Sequence, residues 1–110
     1  MADVLKGHGY AVTNSLAVGY TVPSSKIVTV IGMQVANIHA TDAATLDVQI
    51  VRATGTGVDT YLVKGISIPV NDSLSVLDGK LVLSASDDIK FNCDANRKLE
   101  VNLSYLEQDA

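Results

Sequence analysis

Apolar and polar residues alternate with a period of two along most of this chain. Leu46, Val48 and Ile50 are interleaved with Asp47, Gln49 and Val51, and Ile89, Phe91 and Cys93 with Lys90, Asn92 and Asp94. Leu99, Val101, Leu103 and Tyr105 alternate in the same way with Glu100, Asn102 and Ser104. Successive side chains of a strand point to opposite faces, so each run predicts a strand with one buried and one wet face. Leu16, Val18, Tyr20 and Val22 predict a further inward row, closed by Pro23. Within 27–38, Val28 and Val30 share one phase while Ile31, Met33 and Val35 take the other. A one-residue slip beside Gly32 predicts a β-bulge or bend; a strand buried on both faces, or one passing between two sheets, is the alternative.

The punctuation between these runs is that of turns. Thr54-Gly55-Thr56-Gly57 predicts a hairpin tip between strands at 45–53 and 58–64. Ile66, Ile68 and Val70 predict another strand, and Pro69, which has no N–H to donate, places it at an edge or keeps it short. Asp78-Gly79, between Leu74-Ser75-Val76-Leu77 and Lys80-Leu81-Val82-Leu83, predicts a tight hairpin. Ser86-Asp87-Asp88 and Asp94-Ala95-Asn96-Arg97 predict two more turns. No window prefers the helical period, and 36–44 holds at most one helical turn.

About eight strands with polar turns predict an all-β, single-domain, antiparallel β-sandwich or jelly-roll-like barrel over residues 15–110. Residues 1–14 are broken by Gly7, Gly9 and Asn14 and predict an extended N-terminal arm. Val4, Leu5, Tyr10 and Val12 give that arm apolar contact surface. It reads equally as a frayed terminus or as an arm lying on a neighbouring subunit. Composition agrees with the strand reading: 15 Val, 7 Ile and 8 Thr are β-branched, and 47% of the 110 residues are hydrophobic.

Charge and chemistry mostly exclude. The net charge is −4, and the eight Lys and Arg are scattered singly. A nucleic-acid binder needs clustered cations, and so does a protein held on an anionic membrane surface; neither partner is expected. No apolar run follows a basic start, and none approaches the length of a membrane helix, so the reading is a soluble chain made in a cytoplasm. Ten of the twelve acids are Asp, and Asp42, Asp59, Asp72, Asp78, Asp87 and Asp94 sit beside apolar runs, as turn residues do. Asp87-Asp88 and Asn71-Asp72 are pairs, not a loop with a calcium ligand at alternate positions.

Cys93 is the one cysteine and lies in phase with Ile89 and Phe91, which predicts a buried small hydrophobe, not a nucleophile. His8 and His39 stand far apart and give no ligand spacing, except as a pair across subunits. Glu100 and Glu107 offer no carboxylate pair across a cleft. Gly55 and Gly57 lack the third glycine and the helix of a dinucleotide site. The chain therefore predicts no catalytic, cofactor-binding or metal-ligating residue, no cofactor and no enzyme. A glycan-binding module would want exposed aromatic platforms. Tyr20 and Tyr105 fall in the core phase, which leaves Tyr10 and Tyr61.

Seven segments in collinear order carry a resemblance. They are Tyr20-Thr21-Val22-Pro23, Ile31-Gly32-Met33-Gln34-Val35-Ala36-Asn37, Leu62-Val63-Lys64 and Ile68-Pro69-Val70. Leu74-Ser75-Val76-Leu77-Asp78-Gly79-Lys80-Leu81-Val82-Leu83, Asp88-Ile89 and Ser104-Tyr105-Leu106-Glu107 complete the set. Together, over 18–107, they resemble small accessory virion proteins of tailed bacteriophages, of the head-decoration type. The resemblance implies a non-enzymatic structural protein of the virion that cements the assembled head, or alternatively a neck or tail ring. Its implied partners are other phage structural proteins such as the major capsid protein. Repeated copies on a symmetric shell gain from avidity and closed symmetry, so a homo-oligomer is expected, with a trimer favoured because it matches local threefold positions.

Overall fold

The computed structural model describes residues 3–53, 57–77, 79–96 and 98–109. They form nine strands: β1 (Val4–Ala11), β2 (Ala17–Thr21), β3 (Lys26–Asn37), β4 (Ala44–Val51), β5 (Thr60–Ile68), β6 (Ser73–Ser75), β7 (Leu81–Leu83), β8 (Asp88–Cys93) and β9 (Leu99–Asp109). The strands make two antiparallel sheets packed as a sandwich. The first has the order β1-β9-β3, with β6 and β7 both on the far side of β3; the second runs β2-β8-β4-β5. The all-β sandwich expected from the alternation is what the chain forms.

The inward rows close the core. Leu46, Val48 and Ile50 of β4, Ile89, Phe91 and Cys93 of β8, and Leu99, Val101, Leu103 and Tyr105 of β9 are all buried, as their phase requires. In β3 the expected slip is a bulge. Val30 pairs with Tyr105 but Gly32 pairs with Ser104, so Ile31 is the extra residue. The bulge resets the phase so that Val28, Val30, Met33 and Val35 all face inward, while Ile31 is pushed outside. The hairpin between β4 and β5 also forms, although three of its tip residues, Thr54, Gly55 and Thr56, lie outside the described residues. The strand expected at 66–70 is the continuation of β5, which ends just before Pro69 and lies at the edge of its sheet.

Three expectations change. First, Leu16 and Val18 do not share a face with Tyr20 and Val22. Val18 pairs with Lys90 and Tyr20 with Ile89, so Gly19 is an extra residue and the phase flips there. The reason is steric: a Cβ on Gly19 would stand 2.5 Å from the Phe91 ring and 2.9 Å from that of Tyr10. The bare backbone lets both rings close over it.

Second, the two halves of 74–83 do not pair with each other as a hairpin. β6 pairs with 34–36 and β7 with 28–30, both antiparallel, so they lie end to end along the same edge of β3. A twelve-residue strand offers more ladder than one short hairpin arm can fill. The turn holding Gly79 is a loop between the two segments; Asp78 lies outside the described residues.

Third, the segment expected as an arm contains a strand of the sandwich. Val4–Ala11 lies along β9, from Val4 opposite Glu107 to Ala11 opposite Glu100, without a break in register. The Val12 N–H extends the ladder to the Leu99 carbonyl at 3.0 Å. Its alternation is hidden because one face carries Lys6, His8 and Tyr10 and the other Gly7 and Gly9.

Buried polar groups stitch the ends. The Asn37 side-chain amide donates to the carbonyls of Asp42 (3.1 Å) and Ile68 (3.0 Å), and its oxygen accepts from the His39 N–H at 2.8 Å. One amide thus ties the end of β3 to the start of β4 and the end of β5. Asp87 does the same beside β7 and β8. Its fully buried carboxylate accepts the Ala53 N–H (2.7 Å), the Ser84 N–H (2.9 Å) and the Arg52 guanidinium (3.0 Å). Burial pushes its pKa up, but the two backbone donors and Arg52 outweigh burial and hold it below the usual carboxylate value.

Candidate docking surfaces

The residue types that could carry chemistry are dispersed, and most are occupied. Cys93 is buried, its backbone N–H donates to the Thr13 carbonyl, and its thiol lies 3.3 Å from an Asp94 oxygen. Burial first, and the adjacent Asp94 carboxylate with it, raise the thiol pKa, which favours the protonated form. His8 sits on β1, where Nε2 approaches the Gly19 carbonyl at 2.9 Å across the gap between the sheets. His39 is used locally, its Nδ1 accepting the N–H groups of Thr41 (3.2 Å) and Asp42 (3.0 Å). Among the described residues no group of three His, Cys, Asp or Glu comes together.

The aspartates behave as turn residues where they are described. Asp59 accepts the Arg52 N–H at 2.9 Å, Asp72 the Ser73 N–H at 2.8 Å and Asp94 the Thr45 N–H at 3.4 Å. Glu100 and Glu107 project to opposite faces of β9, so they face no common cleft. Glu107 is nearly buried and receives the Lys6 ammonium at 3.2 Å. Counting back by twos from Val12 puts Tyr10, His8 and Lys6 on the core side of β1, but Glu107 lies at the other end of the chain and nothing local in the sequence pairs it with Lys6. Tyr20 packs beside it with its hydroxyl buried; burial first, then Tyr105 and Glu107, raise that hydroxyl's pKa. Of the two tyrosines expected outside, Tyr10 instead turns inward against Phe91, with ring centroids 5.5 Å apart, because the bare backbone of Gly19 leaves room there. Tyr61 is exposed, and the Lys64 ammonium sits 4.7 Å above its ring.

What remains is surface, and the two sheets present different kinds. The outer face of the second sheet is polar and cross-linked. Asp47 accepts the Gly65 N–H (2.6 Å) and the Asn92 amide (3.2 Å) and has Lys64 at 3.7 Å, while Thr21 donates to Asp88 at 2.6 Å. The outer face of the first sheet carries a single formal charge among its strand residues, Glu100. The ladder pairings place Leu5, Leu106, Thr29 and Val82 in one row across it. Next to that row, Gly7, Ser104, Ile31 and Leu5 surround a shallow hollow of about 340 Å³. Beyond lies an open trough of about 590 Å³ over Gly9, Ala11, Ala36, Gln34 and Asn102. Neither is an enclosed cleft; both are the consequence of outward positions with little side chain.

No known protein family and no curated protein matches the sequence. Solved structures do match the fold. One is a chain of the T13 IBDV viral particle, similar over 96% of this chain at a TM-score of 0.56 and 9% identity. This chain spans 30% of that longer one. A second is a pentameric capsid protein isolated from metagenomic phage sequences, aligned over 94% of this chain and 62% of its own length, at 16% identity and a TM-score of 0.37. The likeness to the viral-particle chain is one of fold alone, on a different sequence.

Proposed function

We propose that this chain is a structural protein of a virus particle, and specifically a decoration protein of a tailed-phage head. The observation that carries the proposal is that 96% of it aligns in fold with part of a longer chain from the T13 IBDV viral particle. The strand order supports it. β1-β9-β3 with β6/β7, facing β2-β8-β4-β5, is the order of an eight-stranded jelly roll in which one edge strand is split in two. Jelly rolls recur in viral capsids, where their closed core leaves both outer faces free for assembly. The collinear motifs from Tyr20 to Glu107 add the phage character and the accessory size.

The mechanism is mass action. A protein that binds the assembled shell and not its free subunits stabilises the shell in proportion to the logarithm of its concentration. It works through surface complementarity, with no turnover, as one of many copies of a homo-oligomer bound beside the major capsid protein. The test is to add the purified protein to heads that lack it. Saturable binding, an even distribution of labelled protein over the head by electron microscopy, and a raised head-disruption temperature are expected. Label confined to the neck or tail, or no change in head stability, overturns the decoration role.

A further inference from the structure

We infer that the free edge of β1 is a self-pairing edge, at which a second copy of this chain adds its own β1 antiparallel around a two-fold axis. The inference rests on the edge geometry and does not need the virion reading.

Four edges end the two sheets, and three are blunted. β5 is bulged twice: three steps from Ile66 to Val63 oppose two from Leu46 to Val48, and two from Val63 to Tyr61 oppose one from Val48 to Gln49. It also takes a positive φ at Gly65 and is followed by Pro69. β2 is five residues long with a bulge at Gly19. β6 and β7 are three residues each and interrupted by a loop. Bulges, proline and short length are the devices that keep sheet edges from pairing. β1 has no bulge, break or proline: eight residues run in one register, and its one charged side chain, Lys6, is turned to the core side and held by Glu107 instead of standing at the edge.

Its backbone parity is also right. The Val12 N–H bonds the carbonyl of Leu99, the residue directly opposite it. Bonded and non-bonded pairs alternate along an antiparallel ladder, so Tyr10, His8, Lys6 and Val4 spend their backbone groups on β9. Leu5, Gly7, Gly9 and Ala11 therefore aim theirs at the open edge. Three of those four have the smallest side chains available, so their own side chains leave the free donors and acceptors unshielded. The charged and polar side chains of β1 point the other way and are engaged: Lys6 with Glu107 and His8 with the Gly19 carbonyl.

A two-fold pairing of β1 with itself needs an odd residue opposite an odd one. Setting Gly7 opposite Gly9, and Leu5 opposite Ala11, satisfies this at all four positions and forms about eight backbone hydrogen bonds. His8 then meets its own copy at the axis. The exposed Leu5 gains the cover of the partner's Ala11 on the outer face. This replaces the trimer expected from the sequence with a dimer or an assembly of dimers.

The experiment measures mass in solution by light scattering and sedimentation, for the wild type and two variants. Gly9→Pro deletes an N–H that faces only the open edge, so the β9 ladder is untouched. Gly7→Glu with Gly9→Glu sets like charges opposite each other, on positions where an added Cβ meets only ordinary contacts. The expected result is a wild type of twice the chain mass, or an even multiple, and both variants at half the wild-type mass with unchanged circular dichroism. A monomeric wild type, or variants that keep its mass, overturns the inference. Head binding is read separately, so a failure here is distinct from a failure of the decoration role.

Discussion

The two sheets of this sandwich share one core and differ in almost everything outside it. The second sheet is finished: its outer face is tied by Asp47, Asn92, Lys64 and Gly65, and both its edges are bulged. The first sheet is plain. Its outer face holds one carboxylate, small residues and an apolar row, and one of its edges runs eight residues without interruption. The same physics of alternation built both inner faces. The outer faces differ because only one of them has been made self-sufficient. Where no three His, Cys, Asp or Glu side chains come together among the described residues, that asymmetry is the feature that can direct contact with a partner.

The contrast between covered and open surface is sharpest at β9, where the two environments are one residue apart. Val101 is buried in the core and Asn102 faces outward. Val101→Asp places an unpaired charge where no donor waits, and the domain is expected not to fold, a loss of more than about 4 kcal/mol. Asn102→Asp is expected to change stability by less than about 0.5 kcal/mol. Thermal melts of both variants check this. A cooperatively melting Val101→Asp would show that the inner face is misassigned.

The next largest effect belongs to Asp87, the buried carboxylate at the end of the sandwich. Its folded pKa lies below the ordinary 3.8, so its contribution is fully present above about pH 4 and is lost as the pH falls through the lower folded value. Asp87→Asn keeps the size but gives up the ion pair with Arg52 and one acceptor. The expected cost is about 2 kcal/mol at neutral pH. Part of the acid sensitivity should vanish with it, visible as a flatter stability profile below pH 4 in denaturant melts. An unchanged profile would mean that Asp87 is not the group that titrates.

The smallest effect separates the two outer faces directly. Asp47→Ala removes an acceptor that three neighbours use and is expected to cost about 1 kcal/mol. Asn102→Ala, on the plain face, is expected to cost nothing measurable. Equal losses in urea melts would erase the distinction between the faces.

Much of this fold was legible because alternation is a local signal. β4, β8 and β9 declare their inner faces residue by residue, and the slip at Gly32 announced a bulge that does occur. What stayed hidden depended on distant partners. β1 looks irregular since its outward positions are glycine, and its pairing partner lies at the other end of the chain. The flip at Gly19 is imposed by the Phe91 ring from another strand, so the apolar pattern of Leu16 to Val22 pointed the wrong way. Asp78-Gly79 reads as a hairpin in isolation, but the long β3 captures both flanking segments. Asp87 looks like any turn aspartate until Arg52 and Ala53 arrive from the end of β4. The docking edge was hidden for a similar reason: a free edge is defined by what the rest of the chain does not pair with.

Residue-resolved hydrogen exchange of the concentrated wild-type protein tests the account most directly. The amides of Leu5, Gly7, Gly9 and Ala11 are predicted to be protected together with those of Val4, Lys6, His8 and Tyr10. On dilution, or in Gly9→Pro, only the odd-numbered set that remains should become fast. Odd-numbered amides that exchange rapidly at every concentration, beside protected even-numbered ones, would contradict it and leave β1 an ordinary bare edge.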